Sequence, residues 1–401
     1  MPDHTAPGPL AGLRVVDCST VLAGPYCTML LGDLGADVVK VEPPEGDATR
    51  GWGPPWIGPA GGDGARTAAY YLAVNRNKRS LRLDLRTPDG KAVLRRLLAE
   101  GDVVVENFRV GGFARLGFDD DELARLNPRL VHLAISGYGT RGAAASRPGY
   151  DFVIQAASGL MSITGATDED GGEPTKVGVA ISDVVTGMLG AVGLLAALVG
   201  RGDVARGGEA GGGQRVDVSI LGATLASLVN QAQNAFATDR APGRLGNAHP
   251  SIVPYESFAT TDGAIAIAVG SGRQWVRLCD ALAIPDRAAG HLRRLQRGQP
   301  LGSRAGAEAI GKDRPECAAV VDAVPVRREP GIVGPIGDRE RVAQPDPLAT
   351  RPNRDRDRAI GRGERLVRDD ARVGVAVERR LLAHDEGALR HVDQRRERRV
   401  D

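Results

Sequence analysis

Short runs of β-branched residues alternate with helical patterns over residues 1 to about 285. Residues 13–17 (Leu-Arg-Val-Val-Asp), 37–42 (Asp-Val-Val-Lys-Val-Glu), 102–106 and 130–136 read as strands. Residues 25–34 and 91–100 carry helical periodicity. Continuous apolar strands joined by helices predict a parallel sheet covered on both faces. The fold class expected is therefore α/β, with a Rossmann-like large domain. A glycine-rich breaker at 202–214 precedes a short strand at 215–219 and a helix at 221–235. Residues 255–259 and 264–269 flank Thr-Thr-Asp-Gly and predict a β-hairpin that opens a smaller α+β domain. The apolar stretch 184–199 is interrupted by glycine, is shorter than a membrane span needs, and reads as a buried helix.

The pattern stops near Asp286. Residues 287–401 hold 25 Arg in 115 positions, one Lys (Lys312), and no Phe, Tyr, Trp or Met. Such sequence lacks the apolar residues of a core. It suits a basic nucleic-acid-binding tail less well, because Asp and Glu are interleaved throughout. Its composition fits out-of-frame translation of a GC-rich coding sequence, and a patterned continuation is then expected in another frame. The division expected is a large domain at 1–205, a linker and the start of a small domain at 206–285, and an anomalous, poorly ordered segment at 286–401.

Composition adds exclusions. With 401 residues the chain is long enough for two domains. A net charge of +2 carries no polyanion-binding signature. Cys18, Cys27, Cys279 and Cys317 have neither CxxC spacing nor a nearby His, so neither disulfides nor zinc are expected. The first residues lack a basic-then-apolar leader, and a cytoplasmic location is expected.

Candidate chemistry gathers after the strands. The segment 20–35 links the first strand to the first helix without GxGxxG, which argues against a nicotinamide or flavin cofactor. It is equally read as a plain strand–turn–helix unit. Residues 45–53 carry Arg50, residues 75–84 form a basic turn before a strand, and 106–118 hold Arg109 and Arg115. Ser-Gly-Tyr-Gly follows at 136–139. Ligands bind at the carboxyl edge of such sheets, where these arginines suit phosphates and Phe108 or Tyr138 a base. Asp151 lies in Arg-Pro-Gly-Tyr-Asp-Phe-Val-Ile-Gln-Ala-Ala-Ser-Gly-Leu-Met (147–161). It is a solvated group, the N-cap of a helix at 152–161, or a nucleophile. Asp183 reads as a cap of the helix after it.

Taken in order, these blocks resemble the class III CoA-transferase (CaiB/BaiF) family over about residues 9–285. The matching stretches include Pro-Leu-Ala-Gly-Leu-Arg-Val-Val-Asp (9–17), Leu-Gly-Asp-Leu-Gly-Ala-Asp-Val-Val-Lys-Val-Glu (31–42), Asn-Arg-Asn-Lys-Arg-Ser-Leu-Arg-Leu-Asp-Leu (75–85), Glu-Asn-Phe-Arg (106–109) and Gly-Tyr-Asp-Phe-Val-Ile-Gln-Ala-Ala-Ser-Gly-Leu-Met (149–161). The resemblance implies an interlocked homodimer. It also implies transfer of coenzyme A, a substrate and not a bound cofactor, from an acyl-CoA to a carboxylic acid. Neither metal, nucleic acid nor membrane is implied. The family's nucleophile falls on Asp151. CoA contacts fall on Leu22 and Ala23, on Leu83, Asp84, Leu85 and Arg86, on Asn107, Phe108 and Arg109, on Arg115, and on Tyr138 near the thioester arm. Pro43 stands where some members have a basic residue, so a CoA contact there is either absent or supplied by Lys40 or Arg50. Leu22 stands where some members have Gln. The sister activity, acyl-CoA racemisation, needs a His beside the aspartate; here Tyr150 stands there. A binder without activity is the other alternative, motivated by the C-terminal segment.

Overall fold

The computed structural model describes residues 7–58, 66–202, 211–260 and 263–284. The Arg-rich segment 286–401, with Cys317 and the reading-frame expectation, lies outside the described residues, as does the expected boundary at 205. The strands are β1 (Arg14–Asp17), β2 (Asp37–Glu42), β3 (Trp56–Ile57), β4 (Thr67–Ala68), β5 (Lys78–Arg82), β6 (Val103–Glu106), β7 (Val131–Ser136), β8 (Arg215–Ser219), β9 (Tyr255–Thr260) and β10 (Gly263–Ala268). The helices are α1 (Ala23–Asp33), α2 (Ala69–Asn75), α3 (Pro88–Glu100), α4 (Gly112–Arg115), α5 (Asp120–Leu126), α6 (Asp151–Ala157), α7 (Ile181–Gly200), α8 (Ile220–Ser227), α9 (Val229–Thr238) and α10 (Gly272–Ala281).

Six parallel strands form one sheet in the order β5-β2-β1-β6-β7-β8. Alternate residues of each strand face opposite layers. Val15, Val103, Val105, Leu133 and Ile135 pack with Cys27 and Leu31 of α1 and Leu194 of α7. Val16, Val41 and Val104 pack with Leu94 and Leu98 of α3 and with Phe113 and Phe118. The central strands are thus apolar on both sides. Strand order reverses between the neighbours β1 and β6, which places a ligand-binding crevice above their carboxyl ends.

Four expectations are corrected. The basic segment 75–84 is not a turn before a strand; Lys78–Arg82 is itself the edge strand β5, where exposed charge is tolerated. The segment 206–285, expected as linker and start of a small domain, includes Arg215–Ser219, which is strand β8 of the large sheet. The helix expected at 221–235 is two helices, α8 and α9, parted at Val229, whose φ is +40°. Finally, α7 is not buried all round. Thr186, Gly187, Gly190, Ala191, Leu194 and Ala197 are buried, while Met188, Leu189, Val192 and Val199 are exposed. By length and composition alone α7 is apolar enough to span a membrane. The hairpin β9–β10 forms as expected, antiparallel with Gly263 opposite Thr260. Val269, Trp275 and Cys279 make a separate small cluster against α10.

Candidate active site

A buried ionic network fixes the loops above β1, β2 and β5. Asp17 ends β1 fully buried. It accepts hydrogen bonds from Ser19 N–H (3.0 Å) and Thr28 Oγ1 (2.6 Å), and pairs with Lys78 Nζ at 3.0 Å. Burial pushes its carboxyl up, but Lys78, Lys40 and the hydroxyls of Ser19 and Thr28 outweigh that and hold it far below the usual range. Lys40 is fully buried, bonded to Ser19 O (2.8 Å) and paired with Asp47 (3.0 Å). Glu42, at the end of β2, accepts from Arg50 through both oxygens (2.7 and 2.6 Å), from Tyr71 (2.9 Å) and from Ser80 (2.7 Å). The Arg50 guanidinium also lies 3.8 Å from the Tyr71 ring centre. Lys40 and Arg50, expected to stand in for a basic residue at the Pro43 position, are therefore committed to carboxylates inside the protein.

Glu42 is pushed up by burial, but the hydrogen bonds from Arg50, Asp47 N–H, Ser80 and Tyr71 bring it down to about 2. Its folded value is lower than its unfolded one, so its contribution is present above about pH 4.5 and is lost as pH falls towards 2. Arg50→Met removes both guanidinium bonds and leaves a buried carboxylate underpaired. We expect a loss of about 3 kcal/mol at pH 7 that shrinks below pH 4.5, read from urea unfolding at several pH values.

The expected CoA-contacting residues line the carboxyl edge. Leu22 precedes α1 and the buried Ala23 begins it. Asn107 binds the turn before them from across the β1–β6 junction: Thr20 N–H donates to its Oδ1 (2.9 Å) and its Nδ2 donates to Thr20 O (2.7 Å). Its amide is spent on clamping two loops, so a CoA contact from that side chain is not what the geometry shows. Val21 beside the clamp has φ +71°, a strained position for a β-branched residue. Such strain collects where a backbone approaches a ligand. Phe108 donates its N–H to Glu106 (2.7 Å) and stacks on Phe113, centroids 5.7 Å apart. Arg109 is exposed, and Arg115 reaches Val110 O only through a long bond. Leu83 and Leu85 pack into the α3-side core, and Asp84 pairs with Arg86 at 2.8 Å. Tyr138 is half-buried against the α1-side core.

Asp151 is the first residue of α6, not its cap; Tyr150 is the N-cap, without a side-chain bond. Its carboxylate instead faces the amino end of the 20-residue helix α7. Oδ1 accepts the Ser182 N–H at 2.8 Å and Oδ2 accepts the Gln155 amide at 2.7 Å. Gln155 is fully buried and is itself held by the Val177 N–H at 2.9 Å. The two donors hold the carboxylate in one orientation, with a lone pair free on each oxygen. The sequence reading does not single out Gln155; its i+4 spacing from Asp151 is the available signal.

The helix α7, which binds Asp151 through Ser182, also packs closely on α1. A Cβ at Gly187 would lie 2.7 Å from Ala23 O and 2.9 Å from Tyr26, so only glycine lets α7 sit this close to α1. Gly187, in the second turn of α7, thereby stands beside Ala23 at the start of α1. Asp183 is not the expected cap: Ala180 precedes the helix and Asp183 is its third residue. Among the described residues no group of three or more His, Cys, Asp or Glu side chains is placed to hold a metal ion. Two described histidines lie elsewhere, His132 near Glu106 and Asp120, and His249 against Tyr255.

The model of CoA-transferase family III matches residues 10–325. The chain belongs to that family. It is 47% identical over 277 residues to a succinate–glutarate CoA-transferase of Agrobacterium fabrum, covering 69% of this chain and 67% of that one. It is 38% identical to the human succinyl-CoA:glutarate CoA-transferase, covering 69% and 60%. A CaiB/BaiF family protein from Brucella suis, solved by crystallography, matches with a TM-score of 0.62 at 38% identity over 78% of this chain and 88% of that one. The chain thus spans between three fifths and two thirds of the length of these two curated relatives. The family match reaches 325, past the 285 to which the resemblance is legible by eye.

Proposed function

We propose that the protein moves CoA from an acyl-CoA thioester to a carboxylic acid, with Asp151 as the covalent carrier. The observation that carries this reading is the paired support of the Asp151 carboxylate, from Ser182 N–H and Gln155, at the amino end of α7. An Asp151 oxygen attacks the thioester carbonyl, forming a mixed anhydride and releasing the thiolate. The thiolate attacks the aspartyl carbonyl, freeing the donor acid and leaving an aspartyl-CoA thioester. The acceptor carboxylate repeats the exchange in reverse. Each intermediate hydrolyses in water, so the site works only when closed.

Arg109, in the β6–α4 loop, and Arg115, the last residue of α4, suit the CoA phosphates, and Tyr138 suits the thioester arm. The names of both curated relatives pair succinate with glutarate, which supports short dicarboxylates as donor and acceptor. The protein acts as a cytoplasmic homodimer in this reading, the exposed Met188, Leu189 and Val192 face of α7 supplying apolar contact area. Racemisation is disfavoured because Tyr150 is where its His would stand and is 65% exposed. The test is to mix the protein with succinyl-CoA and glutarate in deuterated buffer. Glutaryl-CoA without α-deuterium is expected; α-deuterated acyl-CoA without CoA exchange would establish the racemase instead.

A further inference from the structure

The amino end of α7 carries more polar groups than Asp151 needs. Asp183 follows the residue whose N–H binds Asp151, is 8% exposed, and makes no hydrogen bond through its carboxyl among the described residues. The Ser182 Oγ next to it is buried and unpartnered. Burial of Tyr70, the second residue of α2, and then the charges of Asp183, Asp151 and Asp47, push its hydroxyl up to about 12. Burial pushes Asp183 itself up to about 7, with the Asp151 charge adding to it, and no cation among the described residues offsets the rise. The titratable groups facing it are thus Asp151 from α6 and Tyr70 from α2.

A carboxyl buried with neither a hydrogen-bond donor nor a cation, one residue from an N–H that binds a second carboxylate, favours its protonated form. Asp183, buried and without a donor, holds a proton. Acylation changes that balance. Once Asp151 is an anhydride it is neutral, and its charge no longer adds to the burial that keeps Asp183 protonated. Its proton loosens at the moment a thiolate, with a pKa near that of an ordinary thiol at about 8.5, is released alongside.

We propose that Asp183 is the proton store for the leaving group: its carboxyl gives its proton to the CoA sulfur expelled by Asp151 and takes it back when the thiol returns. The steps balance. An Asp151 oxygen bonds to the acyl carbon, the C–S bond breaks with its electron pair on sulfur, and the proton moves from Asp183 to sulfur. On return, the thiol protonates Asp183, and sulfur attacks the aspartyl carbonyl with loss of the donor carboxylate. This rests on Asp151 as nucleophile.

The test compares Asp183→Asn, Asp183→Glu and Asp151→Ala, with succinyl-CoA and glutarate as probes. Asp183→Asn is expected to bind CoA within about threefold of wild type, still form the covalent adduct on Asp151, and lose about 100-fold in kcat. Wild-type kcat/KM should fall as pH rises through about 7, because the donor is then ionised. That limb should vanish in Asp183→Asn and return in Asp183→Glu. Single-turnover CoA release by wild type should show a normal solvent deuterium effect of about 2 or more, a readout that needs no variant. Wild-type kcat in Asp183→Asn, an unchanged pH limb, loss of CoA binding with turnover, or no isotope effect would each overturn the proposal. If Asp151→Ala still turns over, the nucleophile assignment has failed, whatever Asp183 does.

Discussion

Asp151→Ala loses CoA transfer by a factor on the order of 10⁴ or more, while CoA binding stays near wild type. The expectation follows from position. The groups proposed to contact CoA are on the β1–α1 turn, the β5–α3 segment, the β6–α4 segment and Tyr138, and none depends on the Asp151 carboxylate for its own hydrogen bonds. Loss of a covalent nucleophile removes the whole two-step path, which in comparable cases costs such factors in kcat. The competing view is that Asp151 only satisfies the Ser182 N–H of α7. Asp151→Asn separates the two. Asparagine accepts that N–H nearly as well as aspartate, so a capping role predicts an active enzyme and a stability change below about 1 kcal/mol. A nucleophilic role predicts an inactive one. Steady-state assays with isothermal titration of CoA read both quantities.

Lys78→Met destabilises the fold by about 3–5 kcal/mol, lowering Tm by roughly 10 °C. The Lys78 side chain is almost fully buried, with Nζ shared among Asp17, Pro25 O (2.7 Å) and Asn75 Oδ1 (2.9 Å). Burial alone pulls its pKa down; the Asp17 charge works against that. Removing the cation leaves Asp17 as a buried anion whose nearest remaining charge partner is Lys40. The cost is that of an unpaired charge, not the worth of the bridge. A double variant, Asp17→Asn with Lys78→Met, should therefore recover much of the loss. Thermal melts of the three proteins check this; a double variant as unstable as Lys78→Met alone would contradict the pairing account. The same single variant should weaken CoA binding, since Lys78 ties β5 to the start of α1 through Pro25.

The sheet is legible in the sequence because its central strands are buried on both faces. Runs such as Val103–Glu106 leave no ambiguity of period, and β1, β2, β6 and β7 appear where those runs are. Edge strand β5 escapes such a reading because its residues, Lys-Arg-Ser-Leu-Arg, are charged for reasons visible only in three dimensions: Lys78 reaches Asp17 and Arg79 pairs with Asp37. The partial burial of α7 is hidden because a helix apolar all round looks the same whether one face or every face is covered. At the site, Asp151 stands out through its ordered neighbours. Its partners Gln155 and Ser182 do not, since a buried amide four residues on and a backbone N–H 31 positions away leave little mark in a sequence. Arg50 and Lys40 mislead for the converse reason: a basic residue near a strand end looks free until its acid, Glu42 or Asp47, is placed against it.

The central claim is that Asp151 becomes covalently loaded. The direct measurement is mass spectrometry of peptides from protein quenched during turnover of succinyl-CoA and glutarate, with hydroxylamine added to trap activated carboxyls. The account predicts a hydroxamate, or a CoA adduct, on Asp151 and its absence in Asp151→Asn. Full turnover with Asp151 unmodified, or with the label on another carboxylate, would contradict it.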